Sequence, residues 1–250
     1  MSEDRFEYAL RLGDNALILS HRLSQWCGLG PALEEDIALT NIALDLLGQA
    51  QLWLELAGAR EGQGRSADDL AYRRDAGAFR NALLVERPNG DYGHTLMRQY
   101  LFDAWHIEAL SALARSADAG FAEIAAKAEK EASYHVERSA GLVVALGDGT
   151  LESHARMQTA LDALWPYAGE LFVGDALDAR LAAQGVAPAA ESLKPAWDAA
   201  TGAVFAQATL TPPASAFAHK GGRAGRHTEA LGHLLAEMQF LPRAYPDARW

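Results

Sequence analysis

Only one cysteine, Cys27, stands among the 250 residues. No internal disulfide can form, which suits a reducing compartment. Proline is scarce, with long stretches free of it, and runs of β-branched residues are almost absent. Sheet architecture is therefore disfavoured. Basic residues are in the minority: 22 Lys and Arg stand against 33 Asp and Glu, a formal net charge of -11. With no basic patch to displace counterions from phosphates, a nucleic-acid partner is excluded. No stretch suits a membrane span, since the most apolar one, Ile37 to Leu54, is interrupted by Thr40, Asn41, Asp45, Gln49 and Gln51. The opening MSEDRFEYAL is charged and lacks the apolar core of a signal peptide. A soluble, cytoplasmic chain is expected. GxSxG and Walker sequences are missing too, and Cys27 lies at a helix end with no evident base beside it.

What the chain does have is alanine and leucine, in proline-free segments of helical length. The first helix is predicted over about Asp4–Cys27, stopped by the Gly28–Pro31 breaker. A second follows over about Leu33–Ala57, with Glu34, Glu35 and Asp36 favouring its N-terminus. A shorter helix is expected over Ala67–Leu84, then a turn at Arg87-Pro88-Asn89-Gly90-Asp91. Two further long helices are predicted, Tyr92–Arg115 and Ala119–Leu146. Two long helices, a long connection and two more long helices give an all-α, ferritin-like four-helix bundle. Additional C-terminal helices are expected over Ser153–Gln184, Ala189–Leu210 and Thr228–Arg243. One domain over 1–250 follows, with a core at about 4–147 and an extension at about 150–250. The second helix is apolar nearly all round, through Ile37, Leu39, Ile42, Leu44, Leu46, Leu47, Leu52, Trp53 and Leu54. Such a helix should be covered on every side, by the C-terminal helices or by a second chain.

A carboxylate-bridged di-iron bundle takes one carboxylate from each of two helices and a Glu-x-x-His pair from each of the others. The spacing of three puts both ligands on one helix face. In the second helix the candidate is Asp45, the lone charge in its apolar surroundings and expected to be buried; three residues on stands Gly48. In the fourth helix the candidate is Glu131, on a stripe with Phe121, Ile124, Ala128, His135 and Leu142; three residues on stands Tyr134, and the histidine comes one step later, at His135. Asp103 and His106 have the spacing of three but lie on the third helix, where a single carboxylate is needed. Asp14 and His21 are the inward polar candidates of the first helix. Asp103, His106, Glu131 and His135 can therefore form an altered metal site, or a hydrogen-bonded polar core that holds no metal. The Gly221–Arg226 loop, basic and glycine-rich, can cradle an anion or serve as a solvated connection. Glu229, His233 and Glu237, spaced by four, read as an exposed or interface face.

Several longer strings add a resemblance. YALRLGDNALILSHRLSQWCG, EEDIALTNIALDLLGQAQ, RPNGDYGHTLMRQYLFDAWH, KEASYHVERS and RHTEALGHLLAEMQFLPRAYPDARW resemble the C-subunit family of bacterial phenylacetyl-CoA epoxidases, from about Tyr8 to Trp250. The resemblance implies a ferritin-like, non-catalytic structural subunit of a multicomponent monooxygenase. In that assembly the partner A subunit holds the di-iron centre and the CoA thioester, and other components bring electrons. Together they epoxidise the ring of phenylacetyl-CoA in aerobic phenylacetate catabolism. The resemblance assigns this chain no catalytic, cofactor-binding or metal residue. Asp45, Asp103, His106, Glu131 and His135 would then be vestiges in a polar core, and the chain a member of a hetero-oligomer.

Overall fold

A computed structural model describes residues 2–215 and 217–248. Among these residues there is no strand. In chain order the α-helices are α1 (Ser2–Ser24), α2 (Leu33–Glu61), α3 (Ala67–Tyr72), α4 (Leu83–Glu86), α5 (Tyr92–Leu113), α6 (Ala119–Gly147), α7 (Leu151–Ala168), α8 (Ala176–Ala183), α9 (Lys194–Gln207), α10 (Glu229–Met238) and α11 (Phe240–Ala244). The fold class is all-α, with the long helices in the order expected of a ferritin-like chain. None of the described helices is long and apolar enough to cross a membrane. The chain divides into two compact units, Met1–Pro88 with Gly221–Trp250, and Asn89–Lys220. These units do not follow the core-and-extension boundary expected near 147–150.

In the first unit α1 and α2 form a long hairpin. Its turn is closed where the Asp36 carboxylate accepts the Gly30 N–H at 2.9 Å. The α2 helix runs four residues past its predicted end and stops at Gly62, whose φ of 73° and N–H bond to the Gly58 carbonyl make a left-handed cap. The helix predicted over Ala67–Leu84 is instead broken into α3, a 3-10 turn at Ala76–Ala78, and α4. Asp14 supplies the reason. Wholly buried on α1, it accepts two bonds from the Arg74 guanidinium and one from the Arg80 N–H at 2.8 Å. A buried carboxylate left short of donors is far costlier than an interrupted helix.

Gly221–Arg226 is not an open anion cradle. The N–H groups of Ala224, Gly225 and Arg226 are spent on the carbonyls of Gly221, Gly222 and Gly221. The segment lies directly on the chain at 77–83: a Cβ on Gly222 would stand 2.2 Å from the Asn81 carbonyl oxygen, and one on Gly225 2.3 Å from that of Gly77. Glycine is needed here for close approach of two backbones. On α10, Glu229, His233 and Glu237 are exposed, as their spacing suggests.

In the second unit α5 and α6 make another hairpin, with Asp91 and Asp118 capping their N-termini through the N–H groups of His94 and Gly120. Against it pack α7 and α9, through Trp165, Trp197, Phe205 and Tyr100. The Trp197 indole N–H also reaches the Leu101 carbonyl at 3.1 Å. The helix predicted over Ser153–Gln184 is two helices. After α7 a 3-10 turn at Gly169–Phe172 leads out, and Asp175 starts α8 with a reciprocal cap, accepting the Asp178 N–H while the Asp178 carboxylate accepts its own.

Two glycines give opposite expected outcomes. Replacing Gly222 with Ala should destabilise the protein by about 1–3 kcal/mol, because a backbone carbonyl cannot step aside as a side chain can. Replacing Gly48 with Ala, where nothing lies within 4 Å of the new methyl, should stabilise the isolated chain by up to about 1 kcal/mol through helix propensity. Urea denaturation of both variants checks the pair.

Candidate functional site

The candidate chemistry lies in a buried polar cluster on the second hairpin. Helical spacing of three and four puts Gln99, Asp103 and His106 on one face of α5, and His135 and Ser139 on one face of α6. All five are buried. Gln99 Nε2 donates to Asp103 Oδ1 at 2.6 Å, and Ser139 Oγ donates to Asp103 Oδ2 at 2.9 Å. Both carboxylate oxygens are thus held by neutral donors. The His106 ring sits against Phe102 at 4.9 Å between centroids and is near-parallel to Trp105 at 6.2 Å. Among the described residues its Nδ1 has no hydrogen-bond partner.

Burial dominates the electrostatics. It pushes the Asp103 carboxyl up to about 6, against the opposing pull of His135, of the hydrogen bonds from Ser139 and Gln99, and of Arg138. It pushes the His106 ring down to about 3, helped by the nearby His135. At neutral pH His106 is therefore an uncharged imidazole in an aromatic setting. Tyr100 is raised, by burial first and by Asp103 second.

The other sequence candidates fall elsewhere. Asp45 is half-buried, not buried as expected from its apolar surroundings: it sits at the border of the inward stripe of α2. Gly48 lies on the exposed face. Both belong to the first unit. Glu131 is half-buried on α6, and Tyr134, which takes the place of a ligand, is exposed. Asp14 serves the ion pair with Arg74, and His21 is half-buried. Among the described residues no three His, Cys, Asp or Glu side chains converge as metal ligands. The donor set does not fit a di-iron centre: a carboxylate with both oxygens already bonded, an imidazole packed among aromatic rings and an outward tyrosine do not make an open site. Gln99 and Ser139 were missed from sequence; each stands four residues from a candidate, Gln99 before Asp103 and Ser139 after His135.

The outer face of α2 is the other notable feature. Its inner stripe, Leu39, Ile42, Leu46, Trp53 and Leu54, is buried. Leu33, Ile37, Leu44 and Leu47 are 73, 53, 60 and 40% exposed. They recur at intervals of three, four and seven, so they line one side of the helix. The C-terminal helices of the same unit, α10 and α11, leave this side uncovered.

The whole chain, residues 1–250, matches the protein family described as "Phenylacetic acid catabolic protein". It is similar to the C subunit of the 1,2-phenylacetyl-CoA epoxidase of Escherichia coli (strain K12), with 47% identity over 243 residues, covering 97% of this chain and 98% of that protein.

The polar cluster makes a stability prediction. Asp103→Ala should cost about 1–3 kcal/mol by stranding the Gln99 and Ser139 donors. Asp103→Asn should be better tolerated, since an amide can still accept from Ser139. The unfolded carboxyl titrates near 3.8 and the folded one near 6, so the folded state holds an extra proton between those values. Stability from this group is full below the interval and falls as pH rises through it. Urea midpoints at several pH values should show Asp103→Asn gaining on the parent protein from about pH 4 to about pH 6.

Proposed function

Because the chain belongs to the phenylacetic acid catabolic protein family, we propose that it is the C-type subunit of a phenylacetyl-CoA epoxidase, a structural companion that performs none of the bond-making steps. A cytoplasmic, single ferritin-like domain in a hetero-oligomer is part of the proposal. The partner A subunit would hold the di-iron centre and the CoA thioester, and other epoxidase components would supply electrons. Oxygen activation needs metal positions open to O₂, and the polar cluster here is closed around its own carboxylate. The observation that carries the companion role is the outer face of α2. Leu33, Ile37, Leu44 and Leu47 form an apolar row on a soluble protein, which marks an interaction surface. Covering it against another helical bundle would hold that bundle's ligand-bearing helices in register. An obligate interface of this sort buries more than ~2,000 Å².

Two experiments test the proposal. Leu44→Glu combined with Leu47→Glu should leave the isolated chain folded, within about 0.5 kcal/mol of the parent as is usual for surface changes. It should weaken association with the A subunit at least ~100-fold in titration calorimetry. Unchanged affinity would remove α2 from the interface. In a reconstituted complex, His106→Ala and His135→Ala should lower epoxide formation only as far as folding or assembly suffers. A thousand-fold loss of turnover in an intact complex, or close to two irons per isolated chain by elemental analysis, would give this chain a catalytic role after all.

A further inference from the structure

We propose that His227 is a protonation-dependent latch: as an imidazolium it pins the returning C-terminal segment, residues 221–244, onto Glu86 and Phe79, and loss of its proton frees that segment. The argument begins with two acceptors. His227 Nδ1 lies 2.7 Å from Glu86 Oε2, and Nε2 lies 3.0 Å from the Phe79 carbonyl oxygen. A neutral imidazole carries one N–H and can satisfy only one of them. Only the doubly protonated ring donates to both.

The carboxylate side is equally closed. Glu86 is wholly buried. Its Oε1 accepts from the Thr228 N–H at 2.6 Å and the Thr228 hydroxyl at 2.8 Å, while Oε2 accepts from Asn81 Nδ2 at 2.9 Å and faces His227 Nδ1. Hydrogen bonds donated to a carboxylate favour its charged form. The His227 side chain is itself nearly buried, 4% exposed. An imidazolium there needs its counter-charge, and the carboxylate needs the imidazolium.

The surrounding charges come from four stretches of chain. Between α3 and α4, Arg80 Nη1 donates to the same Phe79 carbonyl at 2.9 Å, its guanidinium paired to Glu7 of α1. From α4 there is Glu86. From α1, Asp14 faces the ring as a second negative charge and is itself paired to Arg74. Also from α1, Arg22 donates to the Glu86 carbonyl at 2.7 and 3.1 Å and to the Ala230 carbonyl at 3.1 Å, with Glu237 and Arg87 in its field. On the C-terminal segment Arg226 and Glu229 are exposed. Burial alone would lower the ring's affinity for its proton; the hydrogen bonds to Glu86 and Phe79 and the charges of Glu86 and Asp14 outweigh it and hold the ring above the ordinary 6.5. The latched state therefore keeps its full advantage below about 6.5 and loses it as pH rises through the latched value.

The position of the latch gives it consequence. The chain leaves the first unit after Pro88 and re-enters at Gly221. Glu86 and His227 stand close to those two points, so their contact ties the exit to the return. The segment it holds carries the exposed Phe240 and Leu241.

Nitrogen-detected NMR of the imidazole rings in the unaltered protein is the direct test. Both His227 nitrogens should stay protonated to a higher pH in the folded protein than in the same protein unfolded in urea. A folded-state midpoint at or below the unfolded one would overturn the proposal. Hydrogen exchange then reads the latch itself. After division by intrinsic rates, opening of α10 should rise about tenfold per pH unit from about 6.5 up to the His227 transition and level off above it, while the α1–α2 hairpin stays protected. His227→Gln should open α10 constitutively and remove its pH dependence. Loss of α10 and α1 protection in parallel would mean global unfolding and no latch.

Discussion

A carboxylate taken wholly out of water is tolerated only when donors meet its lone pairs, and Glu86 of the first unit is such a group. Its donors come from Asn81 a few residues upstream and from His227 and Thr228, more than a hundred residues downstream. Much of the first unit follows from meeting that demand. Arg22 of α1 is drawn to the Glu86 carbonyl. The returning chain must pass close enough for its backbone to touch Asn81, which leaves room only for glycine at position 222. Once Thr228 is fixed, α10 begins in place, and Leu231, Leu234 and Leu235 are carried into the core. Asp14 does the same for the chain between α3 and α4, holding Arg74 and the Arg80 N–H.

The second unit treats its buried charge differently. Asp103 is met by an amide and a hydroxyl and, among the described residues, by no direct cationic partner, so its ionised form is held less firmly. Where Glu86 connects distant segments, Asp103 joins two neighbouring helices of one hairpin. That arrangement suits a core whose shape matters more than its reactivity. It agrees with a subunit whose contribution to an oxygenase is surface and rigidity, the role proposed from the apolar row on α2.

Long helices were the legible part of the sequence. Periodicity and breakers placed α1, α2, α5 and α6 within a few residues, because local propensity and tertiary packing agree there. Where they disagree, the prediction failed. Residues 67–84 have helical composition, but Arg74 must turn inward to Asp14, and nothing local announces a partner sixty residues away. Residues 153–184 were joined into one helix although Gly169, Gly174 and Asp175 marked the break. Asp103, His106 and His135 were read as buried and are. Asp45 and Glu131 were read as inward and are only half-buried; for Asp45 an all-round apolar pattern hides which side faces out. The Gly221–Arg226 loop left an anion cradle and a solvated connection both open, because glycine for backbone approach and glycine for anion binding are spelled alike. The bond between Glu86 and His227 had no spacing to betray it.

The division of the chain into units has a consequence for synthesis. The first unit is assembled from both ends of the polypeptide, with the entire second unit inserted between Pro88 and Gly221. On the ribosome, α1 to α4 emerge early and must wait for more than half of the protein before their last segment arrives. Until then Glu86 lacks its downstream donors and the surface that receives α10 stays bare, beside an α2 already apolar on its outer side. Such half-built intermediates are the species that aggregate or recruit chaperones. The second unit, contiguous from 89 to 220, can close on itself as it emerges. The order of completion is therefore the reverse of the order of translation: the middle of the chain finishes first, and the beginning waits for the end.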